Sequence, residues 1–267
     1  MPRFAANISL LFTEHPFLDR FAAARDAGFP AVEFLFPYEH QPEAVARALR
    51  ASGLELVLFN MPPGDWGAGE RGLAALPGRF EAVARGVEAA LPYAEATGVP
   101  RLHLMAGLAE RSDPEARAAY DRSLRHAAER LAERGLDLTI EPINRRSMPG
   151  YFLDDVDWAG ERVASLRAEG HANLRLQFDL FHAQILHGDL TARLARLMPL
   201  IGHVQVASVP DRAEPGTGEV SDPFLFGELD RLGYAGFVGC EYNPRAGTEA
   251  GLPWLAPYRA APAGEGA

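Results

Sequence analysis

The chain has no lysine: all 26 of its basic residues are arginine. That excludes Schiff-base chemistry and the lysine-dependent phosphate loop, so an acid or base has to come mainly from Glu, Asp or His. Cysteine is almost absent as well. The single Cys240 cannot close an intrachain disulfide and suits a reducing cytoplasm. Positive charge is in deficit, with 26 basic against 36 acidic residues and a net charge of -10. A nucleic-acid backbone needs a basic footprint and is not the expected partner. No apolar run reaches the roughly 18 residues of a membrane span. Arg3 precedes a short run broken by Asn7 and Ser9, which is not the pattern of a cleaved secretory signal. The expectation is a cytoplasmic protein that acts on small molecules, with assembly into a homo-oligomer left open.

What is present is a regular alternation. Eight short apolar runs, at about 3–11, 31–36, 54–60, 101–106, 136–143, 174–179, 203–207 and 236–243, are separated by amphipathic stretches. Pro16, Pro42, Asp113-Pro114 and Asp222-Pro223 open helices, and Gly53 and Gly98 close them. Thr248 to Tyr258 can form a last helix. Strand-helix units in one unbroken order point to an α/β protein, a single (β/α)8 TIM barrel over residues 1–259, with an open doubly wound sheet as the alternative. Residues 260–267 read as a disordered tail. Met61 to Gly78, rich in Gly and Pro, is either an active-site loop or a mobile lid.

Four runs carry a polar side chain at or near their far end: Glu141, Asp179, Gln205 and Glu241. Barrel strands alternate between the axis and the surrounding helices. If Glu241 points inward, Cys240 points outward as a packed small hydrophobe, with Ile140, Phe178 and Val204 in the same phase. The inward set becomes Thr139, Glu141, Gln177, Asp179, His203, Gln205, Glu33 and His103. Val, Ile and Leu normally fill that space. Glu33, His103 and His203 fit a hydrogen-bonded polar core as well as they fit a site.

Two carboxylates about 4 Å apart repel by roughly 4 kcal/mol at an effective dielectric near 20. Glu141, Asp179 and Glu241 make three such pairs, on the order of 10 kcal/mol, which rivals the stability of a domain. A divalent cation, Mg2+ or Mn2+, would relieve that with three carboxylates and the Gln205 amide oxygen as ligands; protonation of one or two carboxylates is the alternative. Two metal-held glutamates also suggest a reaction, a 1,2 proton shift in a hydroxy-carbonyl compound through an ene-diolate.

Gly67-Ala-Gly69-Glu-Arg-Gly72 matches the dinucleotide pattern literally, but it begins well after the third strand and opens no helix, so no nucleotide cofactor is expected. Arg212 could hold a substrate carboxylate. His182 could orient a substrate oxygen or cap the helix that follows Asp179.

Several segments resemble the hydroxypyruvate isomerase family, within the xylose isomerase-like barrels: Met1 to Asn7, Phe34 to Tyr38, Pro63-Gly-Asp-Trp66 with Gly69-Glu-Arg-Gly72, Ile140-Glu-Pro-Ile-Asn144, His203-Val-Gln205, Glu214 to Glu219 and Gly239-Cys-Glu-Tyr242. The resemblance runs to about Arg259. It implies that Glu141 and Glu241 are the proton donor and acceptor. It also implies Glu141, Asp179, Gln205 and Glu241 as metal ligands and His182 and Arg212 as substrate contacts; Gln205 stands where related sugar epimerases carry histidine. Glu70, Arg71 and His103 are further site candidates. The first 38 residues look closer to the sister 2-oxo-tetronate isomerases, whereas the Glu141 to Asn144 and Glu214 to Glu219 segments look like hydroxypyruvate isomerase. The expected reaction interconverts hydroxypyruvate and 2-hydroxy-3-oxopropanoate. The rivals are a four-carbon oxo-acid isomerase, a ketose 3-epimerase, a barrel endonuclease and a non-catalytic sugar-acid binder.

Overall fold

The computed structural model describes residues 1–259, so the tail expected to be disordered lies outside the described residues. The chain runs β1 (Arg3–Asn7), α1 (Arg20–Asp26), β2 (Ala31–Phe34), α2 (Pro42–Ser52), β3 (Glu55–Asn60), α3 (Phe80–Thr97), β4 (Arg101–His103), α4 (Pro114–Ala132), β5 (Asp137–Ile140) and α5 (Val156–Ala168). It continues with β6 (Leu174–Asp179), α6 (Leu180–Leu186), α7 (Leu190–Leu197), β7 (Ile201–Val206), α8 (Asp222–Arg231) and β8 (Phe237–Cys240). The strands pair in parallel in chain order and close between β1 and β8. The barrel is therefore the fold, and the open sheet is excluded.

Local chemistry sets the boundaries. Asp113 and Asp155 cap α4 and α5 by accepting backbone N–H bonds. Most strands are shorter than the apolar runs, whereas β6 matches its run and β7 starts two residues earlier. The β5 ladder stops at Ile140 and Glu141-Pro142 follows, where proline has no N–H to offer a ladder. β8 stops at Cys240. Glu141 and Glu241 thus stand one residue past the end of their strands, and Glu241 is still tied to β7 by its N–H to the Val206 carbonyl at 3.2 Å. The single helix expected after β6 is two, broken at Gly188 and Asp189, both with positive φ. Glu249–Tyr258 is a 3-10 helix rather than an α-helix, with Pro253 and Pro257 inside it.

Ile140, Phe178, Val204 and Cys240 belong to the apolar shell between sheet and helices, the phase the alternation predicts. A second, small apolar cluster joins Ala5, Ala31, Val57, Leu58 and Phe237. By strand register these lie toward the N-terminal end of the barrel, below the inward polar layer. Asn7, Glu33, Thr139, Gln177, His203 and Gln205 form that layer and are all buried. Glu33 has room in it because Gly239 lacks a side chain: a Cβ there would sit 2.2 Å from a Glu33 carboxylate oxygen.

The segment between β3 and α3 is an anchored loop. Met61 N–H donates to His103 O at 2.9 Å, Gly72 N–H to Pro63 O at 2.8 Å and Ala75 N–H to Ala106 O at 2.7 Å. Gly72 has φ +105°, and a Cβ there would lie 2.4 Å from the Met105 carbonyl oxygen. Only glycine allows the loop this close to β4.

Candidate active site

A cavity of about 340 Å³ opens among the segments that follow the strands, lined by Asn60, His103, Glu141, His182, Arg212 and Glu241, with Phe36, Trp66 and Arg71 also contributing. Its residues follow the C-terminal ends of β3, β4, β5, β6, β7 and β8, where a parallel barrel presents its chemistry. Asp179 and Gln205 are fully buried beside it.

Beneath the cavity the inward layer is continuously hydrogen-bonded. Thr139 donates to Gln177 Oε1 at 3.1 Å, and Gln177 Nε2 donates to Gln205 Oε1 at 2.7 Å. Gln205 Nε2 then reaches Glu33 Oε1 at 2.7 Å and Glu241 Oε2 at 2.5 Å. Asn7 bridges the same two carboxylates at 3.0 and 3.2 Å, and His203 Nε2 meets Glu33 Oε2 at 2.6 Å. Glu33 and His203 are therefore polar core, supporting Glu241 from below. Gln205 spends its oxygen on Gln177 and turns its amide N–H groups toward the two carboxylates.

Glu241 is also ion-paired to Arg212, whose Nε donates to the Glu241 carbonyl at 3.4 Å. Glu141 has no such partner: its Oε1 is buried without a hydrogen bond, and so is Asp179 Oδ2. Asp179 Oδ1 caps α6 by accepting Phe181 N–H at 2.7 Å, so Asp179, and not His182, performs that capping. His182 Nε2 lies 3.6 Å from Asp179 Oδ2 and 4.0 Å from Glu141 Oε1. Glu141, Asp179 and His182 form a group that could hold a metal ion, with donor atoms within 4.8 Å of one another. The two orphaned carboxylate oxygens fit a cation. The imidazole fits less well. The Asn144 backbone N–H donates to His182 Nδ1 at 3.3 Å, which leaves the proton on Nε2 and makes that nitrogen a donor.

The electrostatics follow from burial. Burial, then the charges of Glu241 and Asp179, raises the Glu141 pKa well above the usual carboxylate value. Burial pushes Glu241 up to about 7 against the pull of Arg212. It pushes Asp179 to about 6, again with Arg212 opposing. Burial draws His182 well below its ordinary value and His103 down to about 3, so both imidazoles are neutral. Burial would lower Arg212, but Glu241, Asp179 and Glu141 outweigh it and hold its charge firmly.

Of the sequence candidates, the cavity brings together Glu141, Glu241, His182, Arg212, His103 and Arg71. Glu70 is not among its lining residues and bonds within its own loop, to Asp65 N–H and Arg79. Sequence reasoning gave no role to Asn144, Asn60 or Asn7. Asn144 had a signal in its spacing, three residues past Glu141 on the same loop. Asn60 and Asn7 each end a strand, and no residue type marks such an asparagine apart from an ordinary turn former.

A family model described as xylose isomerase-like TIM barrel matches residues 21–258. The chain is 54% identical over 261 residues to the 2-oxo-tetronate isomerase of Cupriavidus necator, covering 97% of this chain and 99% of that one. It is 42% identical over 261 residues to the hydroxypyruvate isomerase of Escherichia coli K12, covering 97% and 100%. Among solved structures, one titled AP endonuclease, family 2, from Brucella melitensis superposes with a TM-score of 0.93 at 49% identity, covering 97% of this chain and 100% of that one.

Proposed function

We propose that this chain, which belongs to the xylose isomerase-like TIM barrel family, is an isomerase that moves a proton between adjacent carbons of a short hydroxy-oxo acid. The observation that carries the reading is that Glu141 and Glu241 line one cavity, close enough for the charge of Glu241 to raise the Glu141 pKa. They follow β5 and β8, which are separated by β6 and β7 around the barrel, so they address a small molecule from different walls. One carboxylate removes a proton from the hydroxyl-bearing carbon, and the other returns one to the neighbouring carbonyl carbon. The hydroxyl proton passes to the former carbonyl oxygen, so no hydrogen is gained or lost overall. The Glu241 pKa of about 7 suits the exchange, because that carboxyl can hold or release a proton near neutral pH, and burial raises Glu141 as well.

His182 donates its Nε2 hydrogen to a substrate oxygen, and the neutral His103 holds its place against Asn60 through Nδ1 at 3.2 Å. Glu141 and Asp179 would hold a divalent ion, Mg2+ or Mn2+, and when bound it would stabilise negative charge on the substrate oxygens.

Hydroxypyruvate, going to 2-hydroxy-3-oxopropanoate, is the substrate favoured by the Glu141 to Asn144 and Glu214 to Glu219 segments. The four-carbon 2-oxo-tetronate is the second reading, favoured by the 54% identity to an isomerase of that name. An endonuclease reading is opposed by the net charge of -10. The deciding experiment follows both acids by proton NMR in deuterated water, with and without chelator. Turnover with solvent deuterium entering the product supports the isomerase, the ratio of kcat/KM values names the substrate, and turnover of neither acid refutes the reading.

A further inference from the structure

We propose that Arg71, on the loop between β3 and α3, binds the substrate's carboxylate and that Arg212 does not; this rests on the isomerase reading above. Arg212 is already engaged. Its guanidinium is ion-paired with Glu241, lies 5.3 Å from the centre of the Phe181 ring, and is surrounded by the charges of Asp179 and Glu141 as well. A substrate carboxylate placed there would compete with Glu241 for the same N–H groups. It would also enter the most negative part of the cavity, where one arginine faces three acidic side chains.

Arg71 has the opposite surroundings. It lines the same cavity, and among the described residues no carboxylate lies within ion-pairing distance of it. Its neighbour Glu70 is turned away, accepting the Asp65 N–H and pairing with Arg79, both at 2.6 Å. The Arg71 guanidinium is also held in place. It lies 3.9 Å from the centre of the Trp66 ring, and its Nη1 donates to the carbonyls of Trp66 at 3.1 Å and Glu70 at 2.8 Å. Trp66 in turn rests on Phe36 with ring centres 5.4 Å apart. One nitrogen is thus spent on fixing the orientation, and Nε and Nη2 remain for a carboxylate. A planar donor edge fixed beforehand loses little freedom on binding.

The loop is built for this. Gly69 and Gly72 have φ +94° and +105°, and the Gly72 N–H closes the loop on Pro63 O at 2.8 Å. The glycines that imitate a dinucleotide motif supply the tight return that carries Arg71 back to the cavity.

The test compares wild type, Arg71→Met, Arg71→Lys and Arg212→Met in steady-state kinetics on both acids. Calorimetric binding of glycerate, a hydroxy acid with no carbonyl to isomerise, runs alongside. Arg71→Met should raise KM and the glycerate Kd on the order of tenfold to a hundredfold, with kcat changed far less, and Arg71→Lys should recover part of the loss. Trp66→Ala, at an exposed side chain, should weaken binding by roughly threefold as the guanidinium loses its support. Arg71→Met with KM and glycerate Kd within about twofold of wild type overturns the inference, as does loss of glycerate binding only in Arg212→Met. If glycerate binding depends on Arg71 but wild type turns over neither acid, the isomerase reading fails and the carboxylate assignment stands.

Discussion

The Asn144 backbone N–H donates to His182 Nδ1 at 3.3 Å, and the Asn144 side-chain amide faces the same nitrogen at 2.7 Å. The amide orientation is fixed independently, because Asn144 Oδ1 accepts the Ser147 N–H at 2.8 Å. Two donors aimed at one ring nitrogen leave His182 neutral with its proton on Nε2, facing Asp179 and Glu141. Asn144→Ala removes the side-chain donor and keeps the backbone one, so the tautomer persists while the ring is held less firmly. It should lower kcat on the order of tenfold, and nitrogen NMR should show His182 still protonated on Nε2. Normal turnover in this variant would refute the positioning role of the Asn144 amide.

Glu141 and Glu241 should respond alike in activity and differently in stability. Replacing either by Gln should cost on the order of a thousandfold in kcat/KM. The folded-state pKa of Glu141 is raised, so its ionised form weakens the fold as pH rises. Glu141→Gln should therefore melt above wild type at pH 8, with the gap closing as pH falls toward 5. Glu241→Gln should show a smaller gain. Its folded-state pKa is also raised, to about 7, but its ion-pair partner Arg212 opposes the rise. Thermal melts of both variants at the two pH values decide between these outcomes.

The barrel was legible because its evidence is periodic. Each apolar run repeats the signal of the last, and an error of a few residues at one boundary leaves the count intact. The phase shared by Glu141 and Glu241 was legible for the same reason, since taking Glu241 as inward sends Cys240, Ile140, Phe178 and Val204 outward together into the apolar shell. The partners of the site residues were not. Nothing in the sequence says whether the Gln205 amide offers its oxygen or its nitrogen to the cavity; that is settled by Gln177 and Glu33, which come from other strands. Arg212 read as a loop cation free to bind substrate, because its pairing with Glu241 spans 29 positions of sequence. Periodicity locates a side chain on a wall of the barrel, whereas its hydrogen-bond partners depend on register between strands far apart in the chain.

Gly239 should tolerate no side chain. Glu33, whose carboxylate fills the space beside it, cannot move aside cheaply, because His203, Asn7 and Gln205 all hold it. Gly239→Ala should destabilise by about 1–3 kcal/mol and lower turnover through the displaced Glu241. Gly227 in α8 is the control: a Cβ there meets nothing within 4 Å. Gly227→Ala should stabilise by about 0.5–1 kcal/mol. Urea denaturation midpoints moving in opposite directions would confirm the contrast, and a neutral Gly239→Ala would contradict it.

Asp222, the first residue of α8, should give the fold a pH dependence separate from the site. Its Oδ2 accepts the Gly216 N–H at 2.6 Å, while its Oδ1 is buried without a partner. Burial raises its pKa from 3.8 to about 6, with the Gly216 bond opposing. The folded state therefore keeps a proton that the unfolded chain releases, and stability falls as pH rises between those two values. Asp222→Asn keeps an acceptor for Gly216 and cannot ionise. Relative to this variant, wild type should lose about 2 kcal/mol between pH 4 and pH 7. Other groups titrate over the same range, so the informative quantity is the difference between the two proteins at each pH, in which shared contributions cancel. A constant difference would mean that the Asp222 carboxyl ionises in the folded state as readily as it does in the unfolded chain.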